Sequence, residues 1–166
     1  MKFLKSYMQS LKLIHFEKAL LSDIEQMQAL VAPYVEDGTI LHRNDDEMAT
    51  NIRSYILAKD DENIVGFLAL HIHAPDLAEI RSLIITADYQ NKGIGKDIIN
   101  EALKEGQKLA LKEVLVLTYK WEFFKKLDFI EIPKSSLPDH KIWADCIKCK
   151  LFPVCNEVSL IKPLVS

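Results

Sequence analysis

The chain has 166 residues, 49% hydrophobic and 27% charged, with 21 Lys and Arg against 24 Asp and Glu, a formal net charge of −3 and a pI near 6.0. That length fits one domain, residues 1–166, around one well-buried core. The mildly acidic balance, with basic residues scattered rather than blocked, argues against a nucleic-acid or anionic-membrane binder and points to a small metabolite as partner.

The opening "MKFLKSYMQSLKLIHF" carries Lys2, Lys5 and Lys12, which break up the apolar core a signal peptide needs. No stretch approaches the roughly 18–20 apolar residues of a membrane span, so a cytoplasmic location is expected. "KLIHFEKAL" begins as a strand. Ser22 and Glu25 then sit at capping-box spacing ahead of the apolar series Ile24, Met27, Leu30 and Val31, which predicts a helix ending near Pro33. Asn44 with Glu47 predicts a second, shorter helix. "RSYILAKDDENIVGFLALHIH" reads as two strands around the turn "KDDEN", and "LAEIRSLIIT" supplies another after Pro75-Asp76. The next helix shows Ile94, Ile98, Ala102, Leu109 and Ala110 near one face. The buried-type strand "EVLVLT", the short helix "KWEFFKKL" and at least one later strand follow. Together these predict a mixed sheet with helices, in α/β (α+β) style.

Between the third strand region and the long helix stands "ADYQNKGIGKDII", residues 87–99. A phosphate-binding P-loop would need a wider glycine spacing ending in Gly-Lys-Ser/Thr, which is absent. A dinucleotide fingerprint would need Gly or Ala where Ile98 stands; Glu113, at the spacing of a ribose-binding acid, keeps that alternative weakened but open. What survives is physical: Gly93 and Gly95 let backbone N–H groups approach an anion closely, and the helix starting there adds its positive dipole end. A tight strand-to-helix turn holding no ligand is the competing reading.

The run Gln90-Asn-Lys-Gly-Ile-Gly95 resembles the acetyl-CoA pyrophosphate loop, Gln/Arg-x-x-Gly-x-Gly/Ala, of the GNAT superfamily of N-acetyltransferases. "GTILHR", "IVGFLAL", "LAEIRSLIIT", "LTYKWEFFKKLDF" and "KIWADCIKCKLFPVCNE" are similar, in that order, to the short, kinase-domain-free N-acetylglutamate synthases of bacteria, over most of residues 12–160. The resemblance implies a single-domain fold with a mixed central sheet flanked by helices. It implies acetyl-CoA as co-substrate and transfer of acetyl to the α-amine of L-glutamate, the first step of arginine biosynthesis; a homodimer is left open. Backbone amides from Gln90 through Asn91, Lys92, Gly93, Ile94 and Gly95 to Lys96 would hold the pyrophosphate, Lys92 and Lys96 adding positive charge. The strand of Leu83, Ile84 and Ile85 would splay from the strand ending at Leu117, with the thioester arm between them.

A glutamate acceptor brings two carboxylates, for which guanidinium groups are natural partners. Only three of the 21 basic residues are arginines. Arg43 closes "LHR", a stretch that contacts the acceptor in the resembled family, and Arg81 lies on the central strand. Strict alternation puts Arg81 on the face of Glu79 and Leu83, where a plain ion pair with Glu79 is its alternative role. Arg53 reads as an ordinary exposed residue; Lys120 is a weaker acceptor candidate and Ser82 could hydrogen-bond a carboxylate.

The acceptor ammonium must lose a proton and the leaving thiolate must gain one. Glu79, acting through water, is the candidate base, because related acetyltransferases use a strand-four carboxylate. A backbone N–H near Ile84 or Ile85 would meet the oxyanion. The superfamily often writes Phe-Tyr-x-x-x-Gly-Phe, whereas residues 123–129 read FFKKLDF. Phe124 therefore stands at the tyrosine's place beside the cofactor and cannot donate a proton, so Tyr119 or solvent must; Asp128 replaces the usual glycine. Trp121, Phe123 and Phe124 read mainly as core.

The cysteine-rich segment 140–160 places Cys146, Cys149 and Cys155 at Cys-x2-Cys-x5-Cys spacing, with His140 ahead of them. One knuckle plus a single cysteine falls short of the two knuckles usual in a structural zinc site, so reduced thiols and no metal are expected. His15, His42, His71 and His73 read as ordinary surface or half-buried residues. Two classes of function remain in view: an acetyltransferase for glutamate or another small amine, and a non-catalytic acyl-CoA- or metal-binding regulatory module.

Overall fold

Seven strands hydrogen-bond into one sheet in the order β1-β2-β3-β4-β5-β7-β6, in a computed structural model that describes residues 14–139, Asp145, Cys146, Lys148 and 156–165. The strands are β1 (Ile14–Lys18), β2 (Tyr55–Asp60), β3 (Asn63–Ala74), β4 (Leu77–Ile85), β5 (Glu113–Thr118), β6 (Ile130–Ile132) and β7 (Val158–Pro163). All neighbours are antiparallel except β4 and β5, which the helix α3 (Ile94–Lys108) joins by a crossover. Helices α1 (Ile24–Glu36) and α2 (Asp45–Thr50) precede the meander, and α4 (Trp121–Lys125) follows β5. The expected order of strand, two helices and antiparallel meander is what the chain adopts.

The sheet buries both faces. On one, Ile94, Ile98, Ile99, Ala102 and Leu103 of α3 pack with Ile56, Leu68, Leu70 and Ile80. On the other, Met27 and Val31 of α1 and Met48 of α2 pack with Leu57, Phe67 and Ile84. Both faces being covered explains why β2 and β3 are almost continuously apolar rather than alternating.

Several local expectations are corrected. The capping box expected at Ser22 and Glu25 gives way to a single bond two residues upstream, where Leu20 N donates to Asp23 Oδ2 at 2.8 Å at a short 3-10 turn and the leucine side chain has no acceptor to return. The helix continues through Pro33 to Glu36, because proline's fixed φ is helical and an exposed proline in the last turn lets water take the carbonyl that loses its donor. Asn44 caps α2 as expected, accepting from Glu47 N at 2.8 Å. Helix α3 stops at Lys108; Leu109 is exposed and Ala110 has φ 61°, so Leu103 and Gly106 take the inward positions assigned to them.

The main departure lies in β4. Phe67 faces Ile84 and Ala69 faces Arg81, so Leu68 opposes two residues, Ser82 and Leu83, in a bulge with Ser82 at φ 58°. The bulge reverses the alternation. Ala78, Ile80, Leu83 and Ile85 pack toward α3, while Ile84 packs toward α1 on the face that carries Glu79 and Arg81. Leu83 therefore does not share the face of Glu79 and Arg81.

Candidate active site

The parallel ladder between β4 and β5 runs from Leu77–Glu113 to Ile80–Val116 and ends there, although β4 continues to Ile85 and β5 to Thr118. Beyond that point β5 stays bonded to β7, as far as Thr118 opposite Val158, while the bulge at Ser82 bends β4 away. The strands part around a cleft of about 480 Å3 walled by Ser82, Leu83, Ile84 and Ile85 on one side and Val116 to Lys120 on the other. Gly66 of β3 closes in behind: a Cβ there would lie 2.7 Å from Ile84 O and 2.6 Å from Ile85 Cδ1.

At the end of the cleft stands the glycine turn. Asn91 and Gly93 take φ 60° and 82°, and Gly93 caps the N-terminus of α3. The first N–H groups of α3 have no intrahelical acceptor and carry the positive end of the helix dipole. Gln90, Asn91, Gly93, Gly95 and Lys96 line the cleft, and the Gln90 amide donates to Ile85 O at 2.9 Å, tying loop to strand. A Cβ on Gly95 would meet only Phe123, at 3.5 Å, so the glycine leaves room on the cleft side. Two loop residues behave differently. Ile94 is 5% exposed in the core and offers backbone alone, and Lys92 is not in the cleft wall but holds its ammonium 5.4 Å over the Tyr89 ring. Glu113, the acid that kept a dinucleotide reading open, sits at the opposite end of β5, paired with Leu77 and Pro163.

On the α1 face, next to the cleft, polar groups cluster in the interior. Arg43 Nη1 donates to Asp145 Oδ1 at 3.1 Å and to Glu47 Oε1 at 2.9 Å; Arg81 Nη1 donates to Asp145 Oδ2 at 3.3 Å. Both guanidinium side chains are only 9% exposed, and the Nε of each has no partner among the described residues. Burial, then the nearby Arg43 charge, lower the Arg81 pKa; in Arg43 the pull of Asp145 and Glu47 overcomes burial. Arg81 is thus neither a surface residue nor the ion-pair partner of Glu79. Glu79, 2% exposed, is hydrogen-bonded to His73 Nε2 at 2.8 Å. His71, opposite Glu79 in the ladder and 4.9 Å from the His73 ring, has its pKa pushed down to about 4 by burial and then by Arg81. Arg81 and Ser82 line the cleft; Glu79 and Arg43 do not. Asp145, Glu47 and His73 were not foreseen as members of the cluster: Asp145 lies 102 positions from Arg43 and His73 meets Glu79 only across the β3–β4 register, whereas Glu47, four residues after Arg43, stands at a spacing that signals an ion pair on a helix.

Tyr119, 40% exposed, and Lys120 line the opposite lip. Phe124 lines the cleft floor while 2% exposed, stacked edge-on between Phe123 and Phe129 at 5.4 and 5.2 Å. Trp121, expected in the core, is 38% exposed and carries the Lys125 ammonium 4.7 Å over its ring. Asp128 adopts φ 68°, so the turn where a glycine is usual keeps its left-handed residue.

A model of the acetyltransferase (GNAT) family matches residues 20–129. The chain belongs to that family. An uncharacterized N-acetyltransferase of Chlorobaculum tepidum is 32% identical over 146 residues, 88% of this chain and 94% of its own. An amino-acid acetyltransferase of Mycobacterium tuberculosis is 30% identical over 118 residues, 69% of this chain and 67% of its own. The N-acetylglutamate synthase from Neisseria gonorrhoeae, in a structure with coenzyme A and N-acetyl-glutamate, superposes with a TM-score of 0.83 at 22% identity over 92% of this chain, which spans only 35% of that longer chain.

GNAT enzymes use acetyl-CoA, and the residues of this acetyltransferase fit it: amide donors at a helix N-terminus for the pyrophosphate, a Cβ-free Gly95 beside them, and two diverging strand edges for the arm. No helix among the described residues is long and apolar enough to cross a membrane. Cys146 is half-buried; Cys149, Cys155 and His140 lie outside the described residues. Among the described residues no group of three His, Cys, Asp or Glu side chains could hold a metal.

Proposed function

We propose that this acetyltransferase acts in the cytoplasm on L-glutamate, acetylating its α-amine as the first step of arginine biosynthesis. The observation that carries the reading is the buried pair Arg43 and Arg81, two permanent positive charges converging beside the cleft with both Nε atoms unpartnered among the described residues. Such a pair recognises carboxylates through forked hydrogen bonds, and glutamate supplies two. The names of its relatives are in keeping with this reading, an amino-acid acetyltransferase with an amino-acid acceptor and an N-acetylglutamate synthase with glutamate.

Acetyl-CoA, when bound, supplies an acetyl carbonyl activated by its thioester. The turn from Gln90 to Lys96 holds the pyrophosphate through backbone amides and the Lys96 charge, and the free edge of Leu83, Ile84 and Ile85 holds the arm. A backbone N–H at Ile84 or Ile85 meets the negative charge that develops on the carbonyl oxygen. Arg43 and Arg81 orient the acceptor carboxylates, with Ser82 and Lys120 reaching in from the two lips. Glu79, two residues behind Arg81 on the same face and held by His73, takes the ammonium proton through water. Tyr119 protonates the departing thiolate, a role Phe124 cannot fill.

The test is the initial rate of thiol release from acetyl-CoA with glutamate, glutamine, aspartate and ornithine at near-neutral pH. Preference for glutamate supports the reading; turnover with another amine and none with glutamate reassigns the acceptor.

A further inference from the structure

Asp145 spans the arginine pair in the manner of a ligand carboxylate, one oxygen on each guanidinium, at 3.1 Å from Arg43 Nη1 and 3.3 Å from Arg81 Nη1. Of the pair, Arg81 lines the cleft and Arg43, needed for the acceptor, does not. Both Nε atoms are buried without a partner among the described residues, so the pair has donor capacity that Asp145 does not use. Two adjacent buried guanidiniums repel each other, and losing Asp145 would leave Glu47 on Arg43 as the one carboxylate bonded to the pair among the described residues, which is costly for Arg81. Exchanging one carboxylate for another avoids that cost: the charge in the interior hardly changes, and the incoming anion gains the unused Nε donors.

We propose that Asp145 is a specificity-determining residue for the acceptor, a resident carboxylate bridging Arg43 and Arg81 that an anionic acceptor must replace. Amines without a carboxylate have no group to exchange and leave the bridge intact. A dicarboxylate engages both arginines and displaces it. The inference rests on the acidic-acceptor reading above, and it extends that reading by stating what selects the acid.

The experiment titrates glutarate, a dicarboxylate with no amine to acetylate, into the full chain and into Asp145→Asn, reading binding by thermal shift. Removing the competing charge while keeping its shape should tighten glutarate binding at least about tenfold. Unchanged or weaker binding, or no binding to either protein, overturns the proposal and makes Asp145 an organiser of the arginines. Should Asp145→Asn fail to fold, the wild-type chain gives the answer by hydrogen exchange: glutarate should change the exchange rate of the peptide that carries Asp145, read by mass spectrometry, and an unchanged rate overturns the proposal. Because glutarate binding needs no turnover, a wild-type chain that binds it but does not acetylate glutamate would sink the glutamate reading alone.

Discussion

Ile80 and Val116 form the last rung of the parallel β4–β5 ladder, and the cleft opens immediately beyond them. The opening follows from two local features: a bulge at Ser82 that turns β4 away, and β7, which keeps β5 in the sheet as far as Thr118. Backbone groups on the facing edges are released from pairing with each other, and a ligand rich in amides can use them.

Gly95→Val should abolish detectable acetyl-CoA binding with little change in Tm. The added Cβ meets only Phe123, at 3.5 Å, so the fold tolerates it, while the branched side chain fills the space beside the loop amides. Calorimetric titration with coenzyme A checks this; normal affinity would remove the glycine turn from the site.

Gly66→Ala should lower stability by about 1–3 kcal/mol. Its Cβ would sit 2.7 Å from the Ile84 carbonyl oxygen, which is backbone and cannot swing aside. The same push moves Ile84 and Ile85, so affinity for coenzyme A should fall with Tm, read by denaturant melts and by the same titration.

Arg43→Ala should raise the acceptor KM and lower Tm together while leaving affinity for coenzyme A intact. It removes a charge from the acceptor pair, but Asp145 keeps Arg81 as partner, so the loss of stability should stay below the about 3–5 kcal/mol that an uncompensated buried charge costs. Loss of Tm with unchanged acceptor kinetics would reduce Arg43 to a structural role.

Stability should fall with acidification across the range set by His71. Its folded pKa is depressed to about 4 by burial, by Arg81 and by His73, with Glu79 opposing and Arg43 reinforcing, against the ordinary histidine value of 6.5. Between those values the unfolded chain binds a proton that the folded chain refuses, so lowering the pH favours unfolding until about pH 4, where the effect levels off. His71→Gln should flatten this part of the stability profile in denaturant melts from pH 7 to 4; an unchanged slope would show that His71 does not titrate as described.

The glycine turn was legible in the sequence because Gly93 and Gly95 have a backbone reason to be there, and Gly93 does take the left-handed conformation. The chain order of the elements and the antiparallel meander were legible because turns and apolar runs are local, whereas the insertion of β7 between β5 and β6 was not, since it joins segments far apart in the chain. The bulge was not: Ser82 gives no signal of a positive φ, and one inserted residue reverses which of Leu83 and Ile84 shares a face with Arg81. The polar cluster was half legible. Rarity marked Arg43 and Arg81, but Asp145 joins Arg43 across 102 positions, and His73 joins Glu79 only through the β3–β4 register. Phe124 was expected both to face the cofactor and to belong to the core, and the floor of the cleft does both.

The measurement that bears most directly on the account is the ratio of kcat/KM for glutamate to that for glutamine, in the wild-type chain and in Arg81→Ala. The two acceptors differ by one charge at the side-chain terminus. The account predicts a wild-type ratio well above one that collapses toward one when Arg81 is removed. A ratio near or below one in the wild type, or one that survives the loss of Arg81, would contradict it.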